Sequence, residues 1–139
     1  MKVKKINGNY LIKIFKGEKI VESIINFCKG TGIDSGAFHG IGAANSIELL
    51  TYNSKKKNYS SKVLEKDMEI LNITGNVAFL DGNHVVHAHI TLSDDKFEAF
   101  GGHLKEGIIS GTLELVFTDL KTKLSRKYDS ETGLNLLDI

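Results

Sequence analysis

Apolar residues recur along this chain in two rhythms, and the change of rhythm separates one helix from a series of strands. The opening segment MKVKKINGNYLIKIF reads as strand, most clearly from Tyr10 to Phe15, where apolar and polar positions alternate weakly. After Gly17-Glu18 the spacing lengthens. Ile20, Val21, Ile24, Ile25, Phe27 and Cys28 recur at three- and four-residue intervals, which puts one apolar stripe on a helix. Glu18 and Glu22 lie early in it and Lys29 late, as the helix dipole favours, and Gly30 and Gly32 are stop signals.

From Ile33 onward the two-residue rhythm takes over. Gly36 to Ala44 is rich in small residues, and Ser46 to Tyr52 is an apolar run that ends in a polar loop, Asn53 to Asn58. In EILNITGNV, Glu69 to Val77, alternation puts Ile70, Asn72 and Thr74 on one face and Leu71, Ile73 and Gly75 on the other. Asp81-Gly82 is a tight-turn pair and predicts a hairpin between Phe79-Leu80 and His84 to Leu92. TLELVFTDL, Thr112 to Leu120, sets Leu113, Leu115 and Phe117 opposite Glu114, Val116 and Thr118. The tail from Leu124 to Leu137 starts like a strand and turns at Thr132-Gly133. One helix followed by many strands is an α+β arrangement with a largely antiparallel or mixed sheet, whose open faces and edges need cover.

Composition adds bounds to this pattern. A chain of 139 residues, 41% hydrophobic and 25% charged, suits a single folded domain over residues 1–139. No window approaches the roughly 20 apolar residues of a membrane helix, and the N-terminus has neither the apolar run nor the small-residue cleavage site of a signal peptide. With one cysteine, Cys28, and no export signal, the expected location is the reducing cytoplasm. Formal net charge is +1, and Arg126 is the sole arginine among lysines. That balance lacks the basic excess and guanidinium forks typical of nucleic-acid binders. The run Lys55-Lys56-Lys57 is the one local basic patch.

The segment HVVHAHITL, His84 to Leu92, carries the chemistry. Val86, Ala88, Ile90 and Leu92 form an unbroken apolar face, so His87, His89 and Thr91 share the opposite one. His103 follows in FGGHL, where Gly101 and Gly102 allow close backbone approach. If Phe100 to Leu104 pairs beside the His84 strand, His103 completes a three-imidazole cluster. Three nitrogen ligands and an open position suit zinc, and also nickel, cobalt, copper or iron. The same spacing equally describes two half-exposed strand histidines and an unrelated loop histidine. His84 falls on the other strand parity, and His39 lies in the small-residue stretch. Gly40-Ile41-Gly42 begins like a dinucleotide fingerprint, but Asn45 stands in place of the third glycine and a strand follows.

Over Tyr10 to Leu137 the chain resembles the Plants and Prokaryotes Conserved (PPC) domain. The resemblance rests on YLIKIFKGEKI, GIDSGAFHGIGAANSIELLTYN, MEILNITGNVAFLDGNHVVHAHITL, FGGHL and SRKYDSETGL. It implies the PPC fold, a compact homotrimer and, in prokaryotic members, a metal held by the residues here numbered His87, His89 and His103. The family's association with DNA comes from plant members that join the domain to AT-hooks, short Arg-Gly-Arg-Pro elements. This chain has no proline and one arginine, hence no such element. Two functions follow as expectations. One is a trimeric metal-binding module with a DNA-associated or regulatory role. The other is a metal-dependent enzyme or small-molecule binder, for which only Glu98, Glu106 and Glu114 lie near in sequence as acid or base.

Overall fold

In the computed structural model, which describes residues 1–139, the chain runs β1 (Lys2–Ile6), β2 (Asn9–Phe15), α1 (Ile20–Thr31), β3 (Gly36–Asn53), β4 (Asn58–Leu80), β5 (Asn83–Ser93), β6 (Ala99–Asp119), β7 (Arg126–Asp129) and β8 (Leu134–Leu137). The opening segment is two strands, not one. Asn7 and Gly8 both take positive φ, 47° and 84°, and fold β1 back on β2 in the tight turn that this pair favours. Asp81-Gly82, at 50° and 80°, makes the expected hairpin of β4 and β5 in the same way.

Helix α1 buries Ile20, Ile24, Phe27 and Cys28, the stripe read from the sequence. Gly30 stays inside it; Gly32 ends it, left-handed at φ 69° with its N–H donating to the Cys28 carbonyl. Lys19 offers no side-chain cap at the other end. Glu106 of β6 does so instead, accepting from the N–H groups of Val21 at 2.8 Å and Glu22 at 3.2 Å. Burial pushes the Cys28 thiol up to about 12, and the nearby Asp119 charge adds to the effect, so it is an inert core group.

The six long strands follow the order β1-β2-β6-β3-β4-β5, and β5 also pairs with β6, so β3, β4, β5 and β6 close a ring. Every strand pair is antiparallel. The expected mixed character reduces to one isolated parallel bridge, Phe79 to Ser125. With a single 12-residue helix the architecture is strand-dominated, and α+β describes it only loosely. The core lies between α1 and the sheet. Phe27 meets Tyr10 and Phe117 edge-on at 5.2 and 5.0 Å, and Phe117 stacks on Phe38 at 6.2 Å.

Register shifts in two strands explain where alternation misleads. The small-residue stretch and the following apolar run are one strand, β3, bent at register shifts between Gly40 and Gly42 and between Ala44 and Ser46. In β4 the shift between Ile70 and Asn72 slips the parity by one. Ile70 and Ile73 are therefore both buried, against the expected opposite faces, while Leu71 turns outward. The outer face is left unusually apolar. Ile41 (62% exposed), Leu71, Leu11 and Val3 lie along two adjoining grooves there, the larger about 670 Å³ in volume.

Candidate metal centre

Strand β5 buries Ala88, Ile90 and Leu92, so His87 and His89 emerge on its outer side. Its pairing with β6 is short, from Ser93 opposite Ala99 to His89 opposite His103, and His103 also lies opposite Leu50 of β3. The third imidazole thus stands at the seam that closes the ring. The glycines make this seam possible. A Cβ on Gly101 would overlap the Ile90 carbonyl across the pair, so only glycine lets the strands approach this closely. The three rings converge, with centroids 5.4 Å apart for His87 and His89, 5.1 Å for His87 and His103, and 5.5 Å for His89 and His103. Their ligand nitrogens all lie within 4.8 Å of one another. His89 is exposed, and His87 and His103 are half-buried. The donors fit a divalent transition metal: three imidazoles, close enough to meet on one ion, facing a side open to a fourth ligand.

The sequence did not reveal what else shapes the site. The hairpin of β7 and β8 lies beside it and walls a half-open cavity of about 230 Å³, lined among others by Tyr59, His87, His103, Arg126, Leu134 and Leu136 but not by His89. Tyr52 donates to the Thr132 carbonyl at 2.6 Å and Lys57 to the Ser130 carbonyl at 2.6 Å, which tie the hairpin turn to the tip joining β3 and β4. Arg126 ties its other end. The guanidinium donates to Asn76 Oδ1 at 2.6 Å and to the Asn135 carbonyl at 3.0 Å, and Asn76 is the cross-strand neighbour of His87. The signal for Arg126 was present, as the only arginine in a lysine-rich chain, but its position beside the cluster depends on the fold.

The other residues weighed from sequence lie elsewhere. His84 turns away, its Nε2 2.9 Å from the Ile33 carbonyl and its ring against Phe79 at 4.4 Å. His39 lines the large outer groove with Glu114. Glu106 caps α1, and Glu98 lines a separate surface pocket with Lys66 and Asp94. No carboxylate lines the histidine cavity.

Electrostatics favours the neutral form of His87 and His103. Burial foremost, then the charge of Arg126 and the neighbouring imidazoles, pulls His87 from its ordinary 6.5 to about 4. His103 is lowered by burial, His89 and Arg126. Neutral imidazole is the form that ligates metal. The metal-free protein is therefore expected to lose stability as pH falls from about 6.5 towards 4. In that window the unfolded chain binds protons that folded His87 refuses, so stability is full above it and drops within it. Urea titrations of wild type and His87→Gln across this range check the sign: the variant's profile should be flatter.

Fold and site together define a small, strand-built domain with a three-histidine cluster able to hold a metal ion. Residues 1–121 match the Plants and Prokaryotes Conserved domain, and the chain belongs to that family. A crystal structure from Bacteroides thetaiotaomicron, described as a candidate DNA-binding protein, is 37% identical, covers 99% of this chain and 96% of its own, and superposes with a TM-score of 0.94. A metal-containing protein from Archaeoglobus fulgidus is 31% identical over 97% of this chain and 94% of its own, with a TM-score of 0.85. The bifunctional protein GlmU of Synechococcus sp. (strain JA-2-3B'a(2-13)) is 27% identical over 126 residues, 89% of this chain. The chain spans only 19% of the length of that curated relative.

Proposed function

We propose that this protein is a trimeric metal-binding module in which His87, His89 and His103 hold a divalent transition metal, zinc foremost, and which serves a regulatory role. The convergence of three ligand nitrogens within 4.8 Å carries the reading. The description of the Archaeoglobus relative as metal-containing agrees with it. Borderline-soft zinc suits three imidazoles, and the fourth position stays open to water or a ligand. No carboxylate lines the cavity, so a hydrolytic alternative would have to draw its nucleophile from metal-bound water without a carboxylate to assist it. Exposed Ile41, Leu71, Leu11 and Val3 favour the homotrimer, since a contiguous apolar outer face gains by burial against a second copy. Free, buried Cys28 suits a reducing cytoplasm. Elemental analysis of tag-free protein after zinc reconstitution should return one metal per chain, and sedimentation equilibrium a trimer. A stable monomer, or zinc far below stoichiometry, would count against the corresponding half.

DNA is the regulatory target that the description of the Bacteroides relative supports. Affinity for duplex DNA should nonetheless be weak. Net charge is +1, Arg126 is turned into the histidine cavity, and of the Lys55–Lys57 run Lys57 is engaged with the Ser130 carbonyl. Fluorescence anisotropy should give dissociation constants on the order of 10 μM or weaker at physiological salt, with no preference between A·T-rich and G·C-rich duplexes. Nanomolar, sequence-dependent binding would reverse this assignment.

A further inference from the structure

We propose that the cavity beside the histidine cluster is a binding site for a small monocarboxylate, held between the metal position and the guanidinium of Arg126. The inference deepens the metal-site reading, on which it rests for one side of the ligand, by naming the chemistry that enters the open position.

Four observations carry it. Arg126 is half-buried, and no ion pair in the molecule includes it. A cation withdrawn from water with no counter-ion is costly, and structures usually provide one. Next, its guanidinium is fixed but not saturated. It uses one donor on Asn76 and one on the Asn135 carbonyl, and its Nε–H is buried with no partner at all. A guanidinium has five donors, and with these two engaged and the Nε–H enclosed, the second N–H on each terminal nitrogen remains for an occupant. Third, Arg126 lines the same 230 Å³ cavity as His87 and His103. With a dication on the imidazoles, two positive centres would face one partly open space, and a negative group between them turns repulsion into attraction. Finally, the wall decides the class of anion. Arg126 is the cavity's only charged side chain, and Leu80, Val85, Leu134 and Leu136 supply apolar surface. One planar fork matches one planar carboxylate, and the wall has no second cationic side chain for the further oxygens of a phosphate. The apolar wall suits a short hydrocarbon end.

The sole arginine makes the test direct. In ¹⁵N-labelled, zinc-loaded protein the Arg126 Nε–H is the single arginine side-chain signal and needs no assignment. Titration with acetate, propionate and butyrate should move it saturably, with affinity rising along the series. Chloride at equal ionic strength should leave it in place. Arg126→Gln should keep zinc and weaken propionate binding in calorimetry by about tenfold or more, with Arg126→Lys between the two. If those variants fail to fold, the wild-type titration decides alone. A signal that no carboxylate moves would overturn the proposal, and an equal or larger response to inorganic phosphate would overturn the carboxylate assignment. Zinc content of the same samples separates the two readings. Bound zinc without a carboxylate response retires the Arg126 site only. A saturable response in protein that holds no zinc supports the Arg126 site and retires the metal.

Discussion

If the proposed metal site holds, replacing His89 with Ala should leave the protein folded and abolish its zinc binding. His89 is exposed on the outer side of β5, and the core residues beside it, Ala88 and Ile90, face the other way. Removing its ring therefore opens no cavity, and thermal stability of the metal-free protein should shift by no more than about 0.5 kcal/mol. Metal affinity should collapse, because two imidazoles on one protein hold an ion far less well than three. The loss should exceed the roughly 10–100-fold that follows removal of a mere outer-shell partner. Competition with a chromophoric chelator measures it. His39→Ala, out on the large groove, is the control and should bind zinc like wild type. Equal zinc affinity in the His89 variant would mean that the three rings converge for another reason.

Phe117→Ala should produce the largest loss of stability of any single truncation considered. Phe117 is fully buried, edge-on to Phe27 of α1 and stacked on Phe38 of β3, so it joins the helix to the sheet. Gly36 makes room for it; a Cβ there would run into the Phe117 ring. Its cross-strand partners, Tyr10 and Phe38, are rings with little freedom to fill the gap. The cost should be about 3–5 kcal/mol, of the size measured for buried aromatic truncations. Against a typical total of about 5–15 kcal/mol this is severe. Scanning calorimetry should place the melting temperature roughly 10–20 °C lower. A drop of only a few degrees would show that the core can close around the missing ring.

The histidine cluster was legible because its logic is local. Val86, Ala88, Ile90 and Leu92 fix which way β5 faces, and that alone puts His87 and His89 together. His103 needed one further inference, that Gly101-Gly102 marks a close strand pair, and the β5–β6 register bears it out. The faces of β4 could not be read in the same way. A bulge adds a residue without any compositional mark, and the register slip between Ile70 and Asn72 undoes simple alternation. The ring closure was equally hidden. It follows from β6 pairing with β5 at one end and β2 at the other, a division of one strand's edge that no periodicity reports. Nor could Arg126 be placed, since it reaches the cluster only through a tail whose docking is tertiary.

That tail has a consequence for how the molecule could change. The three imidazoles stand on β5 and β6, inside the residues matched by the family, while the hairpin that roofs the cavity begins at Arg126, beyond residue 121. The histidine cluster and the pocket's outer wall are thus built by separate stretches of chain. The wall is tied down by a few polar contacts, from Tyr52, Lys57 and Arg126, and closes no part of the barrel. Substitutions at Leu134 or Leu136 can reshape the wall without disturbing the seam that positions the histidines, whereas Arg126 acts on both. If the proposed sites are real, the apolar part of the wall can thus tune selectivity for a guest while the histidine seam stays intact.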